Sequence, residues 1–156
     1  MQQRLTPLQA RQKIKYYCAY QERSHQEVKN KLYEFGLRKD EVEEILSELI
    51  SEDYLNEERF ARIFAGSKFR QKQWGKNKIL HELKAKSVSP YNIKIAMREI
   101  DEDEYARCLE KLTREKWNAL KNEQYIIRET KTIRYMMQKG FEADQVKNVL
   151  KNLRGK

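Results

Sequence analysis

Three stretches of the chain repeat one pattern of apolar positions. The first places Val28, Leu32 and Phe35 before Gly36-Leu37, then Val42, Ile45, Leu46 and Leu49 after it. The second has Ile79 and Leu83 before Ser87-Val88, followed by Ile93, Ala96, Met97 and Ile100. The third runs Ile133 and Met136, Gly140-Phe141, then Val146, Val149, Leu150 and Leu153. Spacings of three and four residues describe one face of a helix. Each stretch is therefore expected to be a pair of short helices joined at Gly36, Ser87 or Gly140.

The joints carry their own chemistry. A helix commonly ends with a residue in the left-handed region, usually glycine because it has no Cβ to clash, and the next residue touches an apolar one five positions back. That rule pairs Leu37 with Leu32, Val88 with Leu83, and Phe141 with Met136. Ser87 breaks the glycine pattern, at a cost of about 1 kcal/mol for a side chain in that conformation. Start signals agree with the stops. Ser24-His25-Gln26-Glu27 and Asp40-Glu41-Val42-Glu43 fit capping boxes, and Thr6-Pro7 and Ser89-Pro90 set a cap before a first-turn proline. Asn56 and Asp101 can cap the helices that begin just after them.

A further helix precedes each pair: Pro7 to Tyr20 with Leu8, Ile14 and Tyr17 on one face; Glu57 to Gln71 with Phe60, Ile63, Phe64 and Ser67 inward; and Glu102 to about Leu120 with Tyr105, Cys108, Leu109 and Leu112 inward. The expected fold is all-α, with three tandem three-helix repeats over 1–52, 53–101 and 102–156 forming an elongated, curved array. Few breakers (5 Gly and 2 Pro in 156 residues) and many Glu, Lys, Gln and Arg support helices over sheets. No apolar run approaches the roughly 20 residues needed to span a bilayer. The start of the chain lacks the apolar core of a signal peptide, so a cytoplasmic protein is expected. Cys18 and Cys108 sit at apolar helical positions and read as small buried hydrophobes.

Charge alters the picture. The net charge is +9 and unevenly placed. From Asp40 to Glu58 there are nine carboxylates and no Lys or Arg. From Arg62 to Lys86 the chain holds Arg62, Lys68, Arg70, Lys72, Lys76, Lys78, Lys84 and Lys86 against Glu82 alone. So dense a run of one sign repels itself unless it meets an anion, which makes these residues, with Trp74, the candidate contact to nucleic acid or an acidic protein surface. Gly75 can break the helix and leave Lys76 and Lys78 near the start of the next one, where backbone amides and the helix dipole favour phosphate. Trp74 can stack on a base or cover the core between units; the large area a tryptophan buries favours the second role. A basic stretch from Lys111 to Lys139 is weaker, being mixed with glutamates.

Catalysis finds no foothold. His25 and His81 stand apart and read as surface residues, no cluster has metal-ligand spacing, and phosphate loops and nucleophile elbows are missing from the sequence. No cofactor is expected. The second helices of the repeats carry Lys94, Arg98, Glu43 and Glu44 without an Arg, Asn or Gln cluster aimed at base edges, so backbone contact with DNA is expected and sequence readout is not.

The stretch Tyr54-Leu55-Asn56-Glu57-Glu58-Arg59-Phe60-Ala61, with Arg70, Gly75, Ile79, Glu82-Leu83 and Val88, resembles the signature of the RecX family, and Arg23 to Leu32 resembles that family's first repeat. In this chain Asn56-Glu57 stands where that family has an acidic pair, and Lys76, Lys78 and Ser87 stand where it has proline, arginine and glycine. The resemblance implies a non-enzymatic regulator that binds RecA recombinase filaments on DNA. It would suppress ATP hydrolysis and strand exchange by lodging in the filament groove or capping growth. A stand-alone helical module that binds nucleic acid without sequence preference is the alternative reading.

Overall fold

The computed structural model describes residues 4–154. Among them lie nine α-helices and no strand: α1 Pro7–Tyr20, α2 His25–Glu34, α3 Lys39–Ser51, α4 Glu57–Lys72, α5 Lys76–Ala85, α6 Pro90–Met97, α7 Glu102–Ala119, α8 Tyr125–Gln138 and α9 Ala143–Arg154.

The three expected joints form with the hydrogen bonds their sequences imply. Gly36, Ser87 and Gly140 have φ of 88°, 62° and 101°. Their N–H groups donate to Tyr33, Lys84 and Met137 carbonyls at 2.9, 3.0 and 3.0 Å. The next residues, Leu37, Val88 and Phe141, donate to Leu32, Leu83 and Met136 at 3.4, 3.1 and 3.0 Å. This six-to-one and five-to-two pairing satisfies the last carbonyls of each helix. Asp53, at φ 63°, ends α3 in the same way, with Tyr54 donating to Leu49 at 2.9 Å.

Helix starts follow the cap residues. Thr6 and Gln9 form a reciprocal capping box, and Ser24, Asn56, Ser89 and Asp101 each accept a first-turn amide. The box expected at Asp40-Glu43 does not form. α3 begins two residues earlier than that box implies, with extended Arg38 as its N-cap donating its N–H to Glu41 Oε1 at 2.9 Å. The preceding joint holds Leu37 in place, so the chain turns into helix at once and Asp40 falls inside the first turn.

The described chain forms two compact units, and the division runs within α4, α5 and α6. One gathers the described residues up to Ile63 with Leu83–Ile95; the other gathers Phe64–Glu82 with the described residues from Ala96 onward. In the first, α1, α2 and α3 close on Ala10, Ile14, Cys18, Val28, Leu32, Val42, Ile45 and Leu49. In the second, α7 packs on α8 and α9 around Tyr105, Leu109, Leu112, Met136, Phe141, Val146 and Leu150. Each large aliphatic side chain so enclosed contributes about 1.5–3 kcal/mol relative to exposure.

Two residues expected inward lie outward. Leu8 is 66% exposed and Ile63 is 48% exposed. The buried seam of α1 is Ala10, Ile14 and Cys18, and that of α4 is Phe60, Ala61, Ala65 and Phe69. Leu8 stands two residues from Ala10, and Ile63 two from both Ala61 and Ala65, which is about 200° around the helix. Small alanines mark these seams, although the large side chains beside them are the stronger signal in the sequence. Cys18 is buried and Cys108 half-buried, and burial pushes the Cys18 thiol up to about 11. No described helix is long and apolar enough to cross a membrane.

Candidate nucleic-acid and partner interface

The nine candidate residues are divided between the two units. Arg62, Lys84 and Lys86 belong to the first unit, and Lys68, Arg70, Lys72, Trp74, Lys76 and Lys78 to the second.

Within the second unit, α4 carries Phe64, Lys68 and Lys72 at four-residue steps, so they share one face. The helix ends at Lys72, Gln73 turns back at φ 55°, and Trp74 is brought against the same face. Trp74 meets Phe64 edge-on, with ring centroids 6.3 Å apart. Lys68 Nζ lies 5.1 Å and Lys78 Nζ 4.4 Å from the Trp74 ring centre. The tryptophan is half-buried, so it packs on Phe64 and still offers part of its ring to solvent between two ammonium groups. The packing role therefore has a structural basis in the Phe64 contact.

Other members of the run are engaged elsewhere. Lys76 Nζ pairs with Glu102 at 2.7 Å and sits 4.6 Å from the Tyr105 ring centre, which makes it a tie between α5 and α7. Lys86 pairs with Glu27 at 3.0 Å, and Arg62 lies 3.9 Å from Glu58. Arg70 folds along its own helix over Gly66 and, two residues from Lys68, points about 200° away from it. Lys84 is exposed on α5. Lys68, Arg70, Lys72, Lys78 and Lys84 have no carboxylate partner among the described residues.

The expectation of a phosphate site at the start of α5 fails for a clear reason: the amides there are already used. The Gly75 N–H donates to the Lys139 carbonyl at 2.7 Å, Lys76 N–H to Tyr105 Oη at 3.0 Å, and Asn77 N–H to the Gly140 carbonyl at 2.9 Å. The Tyr105 hydroxyl in turn donates to Glu142. Burial and that bond push its pKa far above the usual tyrosine value. The helix start is docked on the α8–α9 joint. That docking requires Gly75, whose added Cβ would lie 2.2 Å from the Gly140 carbonyl carbon.

The same docking brings in residues that the linear run of charge could not reveal. Lys139 Nζ contacts the Lys72 carbonyl at 3.4 Å, where a cation complements the C-terminal end of α4. Lys139 and Lys116 lie 5.9 and 4.6 Å from the Tyr135 ring centre. The surface of the second unit thus combines Lys68, Lys72, Trp74 and Lys78 with Lys139, Tyr135 and Lys116. These last three fall in the weaker basic stretch, and only the fold adds them to the others.

In the first unit, Glu57 acts as a clamp. Its carboxylate accepts from Asn92 Nδ2 at 2.7 Å and from the Ser89 N–H at 3.3 Å, tying the start of α4 to that of α6. His25 Nδ1 stands 4.0 Å from the same carboxylate, and its Nε2 is buried without a hydrogen-bond partner. His25 is thus a half-buried residue of the α2 start rather than a surface one, and burial lowers its pKa against the opposing pull of Glu57. His81 is exposed, as expected. Among the described residues, no group of three His, Cys, Asp or Glu could hold a metal ion.

Known proteins share the helical repeats of this chain. Residues 56–97 match the family model described as RecX, second three-helix domain, and residues 102–150 match RecX, third three-helix domain. The regulatory protein RecX of Prosthecochloris aestuarii is 31% identical over 137 residues, covering 88% of each chain. That of Herminiimonas arsenicoxydans is 28% identical over 125 residues, covering 80% of each. Against the RecX of Oceanobacillus iheyensis identity is 25% over 138 residues, and the chain spans about half of that longer relative (51%). The crystal structure of RecX from Lactobacillus salivarius shares the fold, with a TM-score of 0.84 over 95% of this chain and 96% of that one at 20% identity. The chain therefore belongs to the RecX family of regulatory proteins.

Proposed function

We propose that the protein is a non-enzymatic, cytoplasmic regulator that binds RecA filaments assembled on DNA and inhibits their ATPase and strand-exchange activity in DNA repair and recombination. The carrying observation is the pair Lys68 and Lys78 flanking the half-buried Trp74 ring, with Lys72 on the Lys68 face of α4 and Lys139 at the end of that helix, none of the four with a carboxylate partner among the described residues. Ammonium groups of this kind take phosphate oxygens without reading bases. In the filament groove they meet the DNA backbone or an acidic face of the recombinase, while the carboxylate-rich run Asp40 to Glu58 suits a basic one. Three linked repeats over 1–52, 53–101 and 102–156 let one chain, acting as a monomer, engage neighbouring filament subunits. Such linkage gains affinity through effective concentration. Occupying the groove opposes the filament's working cycle; occupying an end opposes its growth.

The test is co-sedimentation of the protein with RecA filaments on single-stranded DNA, comparing wild type with Lys68→Glu, Lys72→Glu and Lys78→Glu combined. Wild type pellets with the filament, and the charge-reversed variant, still helical by circular dichroism, stays in solution. Equal recovery of both would remove the cluster from the interface. Strong binding to bare DNA that RecA does not enhance would favour the stand-alone nucleic-acid module instead.

A further inference from the structure

The second unit holds an apolar groove that the basic cluster does not use. On α8, Ile126, Thr130, Ile133 and Met137 follow one another at four-, three- and four-residue steps and so form a stripe along one face. Ile126 is 76% and Met137 54% exposed. Between α8 and α9 this stripe opens into a groove of about 600 Å³ lined by Thr130, Ile133, Arg134, Met137, Gln138 and Lys147.

Two features mark the groove as more than ordinary surface. Counting back from the three joint residues, the positions of Ile126, Ile133 and Met137 hold Glu22, Lys29 and Tyr33 in the first repeat and Gln73, Leu80 and Lys84 in the second. Only the third repeat is apolar at all three, so the repeat's own packing does not demand it. The lining also contains two cations, Arg134 from α8 and Lys147 from α9, and no carboxylate. Neither cation has an ion-pair partner among the described residues.

We propose that this groove docks an acidic amphipathic helix of a partner protein. Apolar side chains at i, i+4 and i+7 of such a helix fill the stripe over Ile133 and Met137, and carboxylates on its flanks meet Arg134 and Lys147. A nucleic acid fits less well: the floor is aliphatic, and no aromatic ring lines it for bases to stack on. The groove is a contact additional to the basic cluster, and the charge of its ligand is fixed by its own rim.

The experiment is a fluorescence-anisotropy titration of the full chain with a labelled, end-capped peptide. The peptide carries leucine at i, i+4, i+7 and i+11 and glutamate at most other positions. Saturable binding is expected, weakened about tenfold by Arg134→Glu with Lys147→Glu and likewise by Met137→Glu. It should be lost when lysine replaces the peptide's glutamates. Methyl shifts of Ile133 and Met137 on titrating the wild-type chain locate the peptide without relying on a variant that has to fold. Absence of saturable binding overturns the proposal, as does binding that ignores these substitutions or shifts methyls elsewhere. Stronger competition by a single-stranded oligonucleotide would make the groove a nucleic-acid site. A shift toward monomer on Met137→Glu, seen by sedimentation velocity, would make it a contact between two copies of this chain. Either result also overturns the proposal.

Discussion

Replacing Gly75 by alanine adds one methyl group at the tightest backbone approach of the second unit. The new Cβ would lie 2.2 Å from the Gly140 carbonyl carbon, 2.3 Å from its oxygen and 2.3 Å from the Phe141 nitrogen. All three are backbone atoms, so no side chain can swing aside, and α5 must lift from the α8–α9 joint by about an ångström or more. Lifting it breaks or stretches the bonds from Gly75 to Lys139, Asn77 to Gly140 and Lys76 to Tyr105, at 2.7, 2.9 and 3.0 Å. Each is worth about 1 kcal/mol net. Overpacking of this kind adds about 1–3 kcal/mol. The expected loss is therefore about 4–6 kcal/mol, a large share of the roughly 5–15 kcal/mol that holds a domain together. For a chain of this length each kcal/mol moves the melting temperature by about 2–4 °C. Urea denaturation followed by circular dichroism should show a midpoint far below wild type. A Gly75→Ala protein within about 0.5 kcal/mol of wild type, the range of ordinary surface substitutions, would refute the docking of α5 on Gly140.

Other substitutions probe the same framework. Ser87→Gly relieves a side chain held at φ 62° and should stabilise the protein by about 0.5–1 kcal/mol in the same denaturation assay; a loss would contradict the left-handed joint. Tyr105→Phe removes the hydroxyl that accepts from Lys76 and donates to Glu142, and should cost about 1–3 kcal/mol by urea midpoint. His25 is held below its ordinary pKa of 6.5, chiefly by burial. The unfolded chain therefore binds the proton more readily, so stability is complete above that value and falls as pH drops through the lowered folded-state pKa. Urea midpoints on the two sides of the ordinary histidine pKa should diverge for wild type and converge for His25→Gln.

What can be read from the sequence is local. Gly36, Ser87 and Gly140 announce their turns through the next residue and its partner five positions back, and all of that chemistry lies within one helix end. Caps at Thr6, Ser24, Asn56, Ser89 and Asp101 are legible for the same reason. Leu8 and Ile63 mislead because alanines carry the seams of α1 and α4, and alanine says little about facing until its neighbours are known. The site is legible as charge but not as geometry. Lys68 and Lys78 flank Trp74 and Lys72 shares the Lys68 face of α4, yet Lys76 turns to Glu102 and Arg70 turns away. Lys139 joins only because Gly75 meets Gly140, far along the chain. Nothing within either segment announces that contact, although Gly75 and its match in the family signature mark a position where no side chain fits.

The most direct test of the central claim is the ATPase rate of cognate RecA on single-stranded DNA as this protein is titrated in at fixed salt, beside its binding to the same DNA without RecA. The account predicts inhibition at protein levels well below those of RecA, where binding to bare DNA is still weak. It also predicts that combined Lys68→Glu, Lys72→Glu and Lys78→Glu abolishes the inhibition. An unchanged ATPase rate despite strong binding to bare DNA would contradict it.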